Sequence, residues 1–326
     1  MPLRLRLQRP AVRVLGRHPG GPIANRRVLQ LLAHMVHPTA EYSGTQVTQR
    51  GGVVSRQQIE GDTRGRVVRT FLAPPDMAGD VMIVGPKQYR YYHRRTNTLD
   101  VALWPTQWNA NVQRFLLLVQ RGVVQAAVVG QETIAGRNAA IVALTAGAHQ
   151  MKYWIDMPTG IELQNEVSGP SGLISRSYLE SVTVGPTAQV QPSAFNLRIP
   201  NARVNTLYPG DQFQTLAEAA PHSPFAVLQP TRLPPGYSPH GVWVFGGRNP
   251  NPRATSLLLR YSNGVSSFSL YQHIAPATVR AQVPAAFTFR RSVERWVVSD
   301  GQRTVVVIYM GDLSPANVRA VYESLR

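Results

Sequence analysis

The sequence predicts an α+β protein of two units, each an antiparallel sheet with helices packed on one face. Short β segments punctuated by turn pairs recur from residue 41 to 184 and again from 225 to 310. Helical spacing is confined to 25–37, 108–120, 212–220 and the C-terminus. A stretch richer in Pro, Asn and Gln, 185–210, separates the two strand-rich regions. The division is therefore an arginine-rich flexible arm at 1–24, a first unit at 25–185, a linker at 186–210 and a second unit at 211–326.

In chain order, NRRVLQLLAHMVH at 25–37 puts Val28, Leu31, Leu32 and Met35 on one helical face, and Pro38 ends the pattern. Six strands follow: YSGTQVTQ, VVSRQQIE, RVVRTFL, DVMIVG, KQYRYYH and TLDVALW. They are broken at Gly51-Gly52, Gly61-Asp62, Pro74-Pro75 and Gly85-Pro86. This rhythm suits an antiparallel meander. A helix over 108–120 precedes strands at 122–134, 138–146, 149–156, 161–168 and 173–184. The linker holds one expected strand, AFNLRI. In the second unit, QFQTLAEAA at 212–220 suits a helix, and GVWVFG a strand. Two hairpins follow, turning at Asn263-Gly264 and Asp300-Gly301. The final helix has Ser314 as its N-cap and Pro315 as its first residue.

The totals narrow the function. With 326 residues, 43% apolar and 16% charged, the chain can bury two cores. No apolar run reaches the roughly 20 residues that a spanning helix needs. The absence of cysteine rules out disulfides, thiolate nucleophiles and thiolate metal sites. The net charge is +17, and seven arginines with no acid lie in residues 1–27. That segment has the charge of a signal peptide's n-region but no h-region. Such a charge favours an acidic protein, an anionic membrane surface or a nucleic acid. The one nucleic-acid-like cluster is KQYRYYHRR at 87–95. As a strand it splits, with Gln88, Arg90, Tyr92 and Arg94 on one face and Tyr89, Tyr91, His93 and Arg95 on the other. The arginines then form no single stripe, so a nucleic-acid partner is not expected.

Catalytic motifs do not emerge. There is no G-x-S-x-G elbow, no phosphate loop and no G-x-G-x-x-G. His34 and His37 lie three apart on the first helix without an acid to complete a metal set. Asp76 and Asp80 flank a turn, and Glu162 and Glu166 share a strand face. Nothing singles out either pair as acid and base, so no catalytic residue, cofactor or metal is expected. The apolar residues are more informative, because a strongly curved sheet with a helix on its concave side can enclose a cavity. The candidate inward residues are Tyr42, Val47, Phe71, Met82, Tyr89, Tyr91, Trp104, Phe115, Leu116 and Trp154. A dry core would need the same apolar faces, and both readings stand at this point.

The order of motifs resembles the RseB/MucB family of periplasmic regulators of the envelope stress response. LLAHMVHPTAEYSGTQVTQRGG is similar to that family's opening helix and first strand. GPKQYRYYHRRTNTLDVAL and IAGRNAAIVALTAGAHQMKYWIDMPTGIELQNEV resemble its next hairpin and strand pair. In the second unit, LQPTRLPPGYSPHGVWVF, LLRYSNGVSSFSLYQ and VVVIYMGDLSPANVRAVYESL follow in family order. The resemblance runs from about 28 to 326. It implies an incomplete antiparallel β-barrel with covering helices in the first unit, similar to the LolA/LolB lipoprotein carriers, and a smaller α+β second unit. It also implies a periplasmic or otherwise extracytoplasmic protein without enzymatic activity. Its partners would be the periplasmic domain of an anti-sigma factor and lipid or lipoprotein acyl chains. A carrier of lipids or lipoproteins is the alternative.

Overall fold

The structure is a computed structural model describing residues 26–85, 88–102, 116–170, 172–207, 211–246, 255–275, 293–299 and 304–326. The arginine-rich arm, Trp104, Phe115 and the Asp300-Gly301 turn lie outside these residues. The described residues are mostly β, with twelve strands in one sheet and six in a second.

The first sheet contains two meanders. One is β1 (Tyr42–Arg50), β2 (Val53–Gly61), β3 (Val67–Ala73), β4 (Val81–Gly85), β5 (Gln88–His93) and β6 (Thr98–Ala102). The other is β7 (Gln125–Ile134), β8 (Arg137–Ala146), β9 (His149–Asp156), β10 (Glu162–Gly169) and β11 (Gly172–Val184). Antiparallel pairing of β1 with β11, from Tyr42↔Val184 to Arg50↔Ser175, joins them. A last strand, β12 (Arg203–Leu207), pairs parallel with β6. Among the described residues the edge strands β7 and β12 do not pair, so the sheet stays open and no barrel closes.

Helix α1 (Arg26–Val36) forms where the spacing predicts it and ends just before Pro38. It buries Val28, Leu32 and Met35 against Val142 and Leu144 of β8 and Tyr153 and Ile155 of β9. Each such side chain withdrawn from water stabilises the contact by about 1.5–3 kcal/mol. The end of the expected second helix is helical at 116–120.

Two expectations fail in instructive ways. AFNLRI is not a strand. Pro192–Phe195 is a short 3-10 turn, and Phe195 is buried with Val68 and Ile83 of the sheet, stacked under the Arg66 guanidinium at 4.3 Å. Burial of one aromatic holds this segment down in place of a ladder. Within the helix expected over 212–220, helical structure is limited to α2 (Leu216–Ala219) and the 3-10 turn Ala220–His222 that follows it. Thr215 caps α2 by accepting from Glu218 N at 3.3 Å, and Glu218 Oε2 accepts in return from Gln214 N at 3.0 Å. The reciprocal cap fixes the start of α2 at residue 216 and leaves Asp211–Phe213 free to pair as β13.

The second sheet continues with β14 (Ser238–Phe245), β15 (Ser256–Ser262), β16 (Ser267–Ile274), β17 (Val293–Ser299) and β18 (Thr304–Gly311), in the order β13-β14-β15-β16-β18-β17. Helix α3 (Pro315–Glu323) starts at the expected Ser314 cap. It buries Val318 and Val321 in a core with Leu257, Phe268, Trp296 and Tyr309.

Candidate functional site

Alternation along the strands sorts the first sheet into faces. On β3, Val67, Arg69 and Phe71 register with Gly61, Ile59 and Gln57 of β2. Across the other edge, Val67 and Arg69 oppose Val84 and Met82 of β4, which oppose Tyr89 and Tyr91 of β5. On β1, Tyr42 and Gln46 oppose Gly61 and Gln57. This face meets the end of α1, and the two enclose a cavity of about 450 Å³. Its apolar wall includes Met35, Val36, Ile59, Val67, Met82 and Val84, and its polar groups include Gln46, Arg69, Glu162 and Asn165. The volume falls within the range of about 300–1,000 Å³ typical of small-molecule sites.

The electrostatics of the cavity centre on Arg69. Its Nε is buried without a hydrogen-bond partner, and among the described residues it forms no ion pair. Asp62 also lines the cavity, but its carboxylate is taken up locally, by Arg66 Nη2 at 2.6 Å and Nε at 2.7 Å and by two backbone amides. Burial pushes the Glu162 carboxyl up from its ordinary value, while a hydrogen bond from Asn165 Nδ2 and the Arg69 charge pull it back. Burial likewise pushes the Tyr42 hydroxyl up to about 12, against the opposing pull of Arg69. Gly61, opposite Tyr42, leaves room for that ring, because an added Cβ would lie 2.2 Å from it.

The expected inward residues divide into several groups. Tyr42 and Met82 line the cavity. Phe71, Tyr89 and Tyr91 share its face but lie outside its wall. Tyr91 packs against Phe71 with ring centres 6.0 Å apart, and its hydroxyl donates to Asp80 Oδ2 at 3.0 Å. Leu116 packs on the α1 cluster. Val47 is a correction. It follows Gln46 on an unbroken β1–β2 ladder and so faces the other side of the sheet. Trp154 is a second correction. It is buried with Ile161, Leu163 and Leu179, and its indole Nε1 donates to Glu132 Oε2 at 2.6 Å. Sequence reasoning missed Arg69, Gln46 and Asn165, and weighed Glu162 only as half of an acid pair and not as a cavity residue. The signal for Arg69 was available: a cation at the centre of VVRTFL, in step with Val67 and Phe71.

Other candidate groups have structural partners. Glu166 pairs with Arg176 Nε at 3.3 Å, so Glu162 and Glu166 form no acid–base couple. Asp80 accepts from Tyr91 and from Arg94 N at 2.8 Å. No group of three metal-ligating side chains occurs among the described residues. Arg90 on β5 donates to Leu197 O at 3.0 Å, so part of the KQYRYYHRR charge is tied to the packed segment after β11.

The two sheets also touch each other. The β15–β16 hairpin inserts Val265 into the α1 cluster beside Val124 and Leu144. Arg50 of β1 reaches Asp312 at 3.1 Å. The hairpin is not the expected two-residue turn. Asn263 Oδ1 accepts from Val265 N at 3.0 Å and Ser266 N at 2.7 Å, which widens the loop and turns Val265 toward the first sheet.

Neither a family model nor a curated protein sequence matches the chain. Solved structures do. The complex of MucA and MucB from Pseudomonas aeruginosa superposes with a TM-score of 0.62 at 16% identity, covering 92% of this chain and 98% of the other. The chain has the MucB fold. A second structure, MucB in complex with MucA(peri), gives 0.59 at 17% identity, with coverage of 92% and 97%. MucB solved by itself gives 0.54 at 15% identity, with 93% and 98%. Coverage of this extent takes in both sheets, so the MucB likeness concerns the pairing of the two units as well as the first sheet. Within that fold, the Arg69 cavity belongs to the twelve-stranded sheet, and the β15–β16 hairpin reaches the same α1 from the second.

Proposed function

We propose that this chain is a non-enzymatic, extracytoplasmic regulator that binds the periplasmic domain of an anti-sigma factor and responds to lipid or lipoprotein signals. The observation that carries the reading is a fold shared over almost the whole chain with MucB, which has been solved in complex with MucA. The excess of basic residues suits docking on an acidic partner or an anionic membrane face. No helix among the described residues is long and apolar enough to cross a membrane. The division into a lipid-binding unit at 25–185 and a second unit at 211–326 belongs to this reading. The test is retention of the purified chain on an immobilised anti-sigma periplasmic domain encoded beside it. Failure to bind at low salt removes the regulatory role.

The cavity supports a second reading, a carrier of lipids or lipoproteins. Native mass spectrometry of freshly purified protein would then show a bound acyl species together with no affinity for the anti-sigma domain.

A further inference from the structure

The two units meet where the β15–β16 hairpin lies against the start of β9, and one contact there depends on a single proton. Asn263 Nδ2 stands 3.3 Å from His149 Nδ1. An amide nitrogen only donates, so this ring nitrogen has to accept. Asn263 cannot turn its oxygen to the ring instead, because Oδ1 already accepts from Val265 N at 3.0 Å and Ser266 N at 2.7 Å. The other ring nitrogen, Nε2, is buried with no hydrogen-bond partner. An imidazolium presents two donors. Here one would face a donor and the other would find no acceptor, a costly state for a buried cation. Among the described residues, the titratable and charged groups turned toward His149 from the second unit are Tyr237, with its ring centre 5.9 Å away, and Asp312. Burial pushes the Tyr237 hydroxyl up, so it stays neutral, and Arg50 of β1 already holds Asp312 at 3.1 Å. From the first unit, uncharged Gly169 of β10 backs the ring.

We propose that the junction of the two units is a proton-released latch, in which protonation of His149 expels Asn263 and draws the β15–β16 hairpin off the first sheet while each unit keeps its own core. The hairpin carries Val265, buried beside Val124 and Leu144, so both residues leave together. Apart from Val265, the α1 cluster and the core of the second unit draw on separate residues. The chain passes from β12 to β13 between residues 207 and 211, so the parted units stay tethered. Burial lowers the His149 pKa in the closed form, which takes up this proton less readily than the open form. The closed form is fully favoured above about pH 6.5 and loses that advantage as pH falls. A partner that grips both units would therefore bind in a pH-dependent way. The latch does not rest on the proposed function, since neither a lipid nor an anti-sigma domain takes part in it.

The test uses the full chain, which has no native cysteine. Gln131→Cys on β7 and Ala316→Cys on α3, both exposed, take one spin label each, and pulsed electron resonance reads the distance between the units from pH 7.5 to 5.5. A second, longer distance should appear. The open-to-closed ratio should rise about tenfold, the factor for one proton taken up a pH unit below 6.5 by the open form alone. Far-UV circular dichroism should not change. His149→Gln should abolish the response, since its amide offers an acceptor and takes up no proton. Asn263→Asp gives the imidazolium an acceptor and should keep the junction closed at pH 5.5. A wild-type ratio that does not move with pH overturns the latch, as does a response of full size in His149→Gln. Loss of dichroism in step with the distance also overturns it, because whole-chain unfolding is then the cause. Should His149→Gln fail to fold, Asn263→Asp decides the matter, and opening equal to the parent's counts against the latch.

Discussion

His149 on β9 and Asn263 at the tip of the β15–β16 hairpin meet across the two sheets, with Asn263 Nδ2 3.3 Å from His149 Nδ1. The amide also reaches Ala146 O at 3.4 Å. An amide nitrogen only donates, so His149 Nδ1 is the acceptor and the ring proton sits on Nε2. Nε2 is buried without a partner, and the ring stands edge-on to Tyr237 at 5.9 Å. The contact therefore requires a neutral imidazole.

That requirement gives a pH dependence. Burial lowers the His149 pKa from its ordinary 6.5, and the charge of Asp312 opposes the shift. The folded chain then binds this proton less readily than the unfolded chain. The stabilisation is complete above about pH 6.5 and is lost as pH falls from there toward the folded-state value. Urea midpoints should drop between pH 7.5 and 5.5, and His149→Gln should flatten that part of the curve. An unchanged slope in the variant would exclude His149 as the cause.

Gly160 sits where α1 meets the β9–β10 turn. Its φ is +74°, and an added Cβ would lie 2.4 Å from His34 O. Gly160→Ala should cost at least about 1–3 kcal/mol from the left-handed backbone alone. It should also push α1 away from the sheet. Amide exchange across 26–36 would report this as faster exchange in the variant, and unchanged protection would refute it.

Leu32 is 1% exposed in the middle of α1. Leu32→Ala should destabilise the chain by about 2–5 kcal/mol, with the spread set by how far the site can collapse. Denaturant unfolding measures the cost directly. A loss well below 1 kcal/mol would mean that α1 contributes little to the first core.

Arg137 and Asp156 form a two-pronged pair, with Nε to Oδ1 at 3.0 Å and Nη2 to Oδ2 at 2.8 Å. Asp156 is 1% exposed. Arg137→Met leaves that carboxylate in the interior with Thr159 as its remaining side-chain donor. The expected loss is on the order of 3 kcal/mol. A variant as stable as the parent would show that solvent reaches Asp156.

Local pattern determined much of this protein. The spacing of Val28, Leu32 and Met35, the alternation of the strands and the Ser314-Pro315 start all appear where residue chemistry places them, because each depends on neighbours a few positions away. The segment at 194–199 and the short helix α2 were not legible. The first is held by burial of Phe195 against residues more than a hundred positions away, and the second is trimmed by a reciprocal cap.

The site divides in the same way. Tyr42 and Met82 follow from alternation, which, applied strictly, also separates Val47 from Gln46. Only the tertiary structure decided that β10 brings Glu162 and Asn165 to the same cavity as Arg69. It alone placed His149 against Asn263. Sequence fixes periodicity, which is local. Which charges meet, and which are left without a partner, depends on strands distant in the chain being folded onto one face.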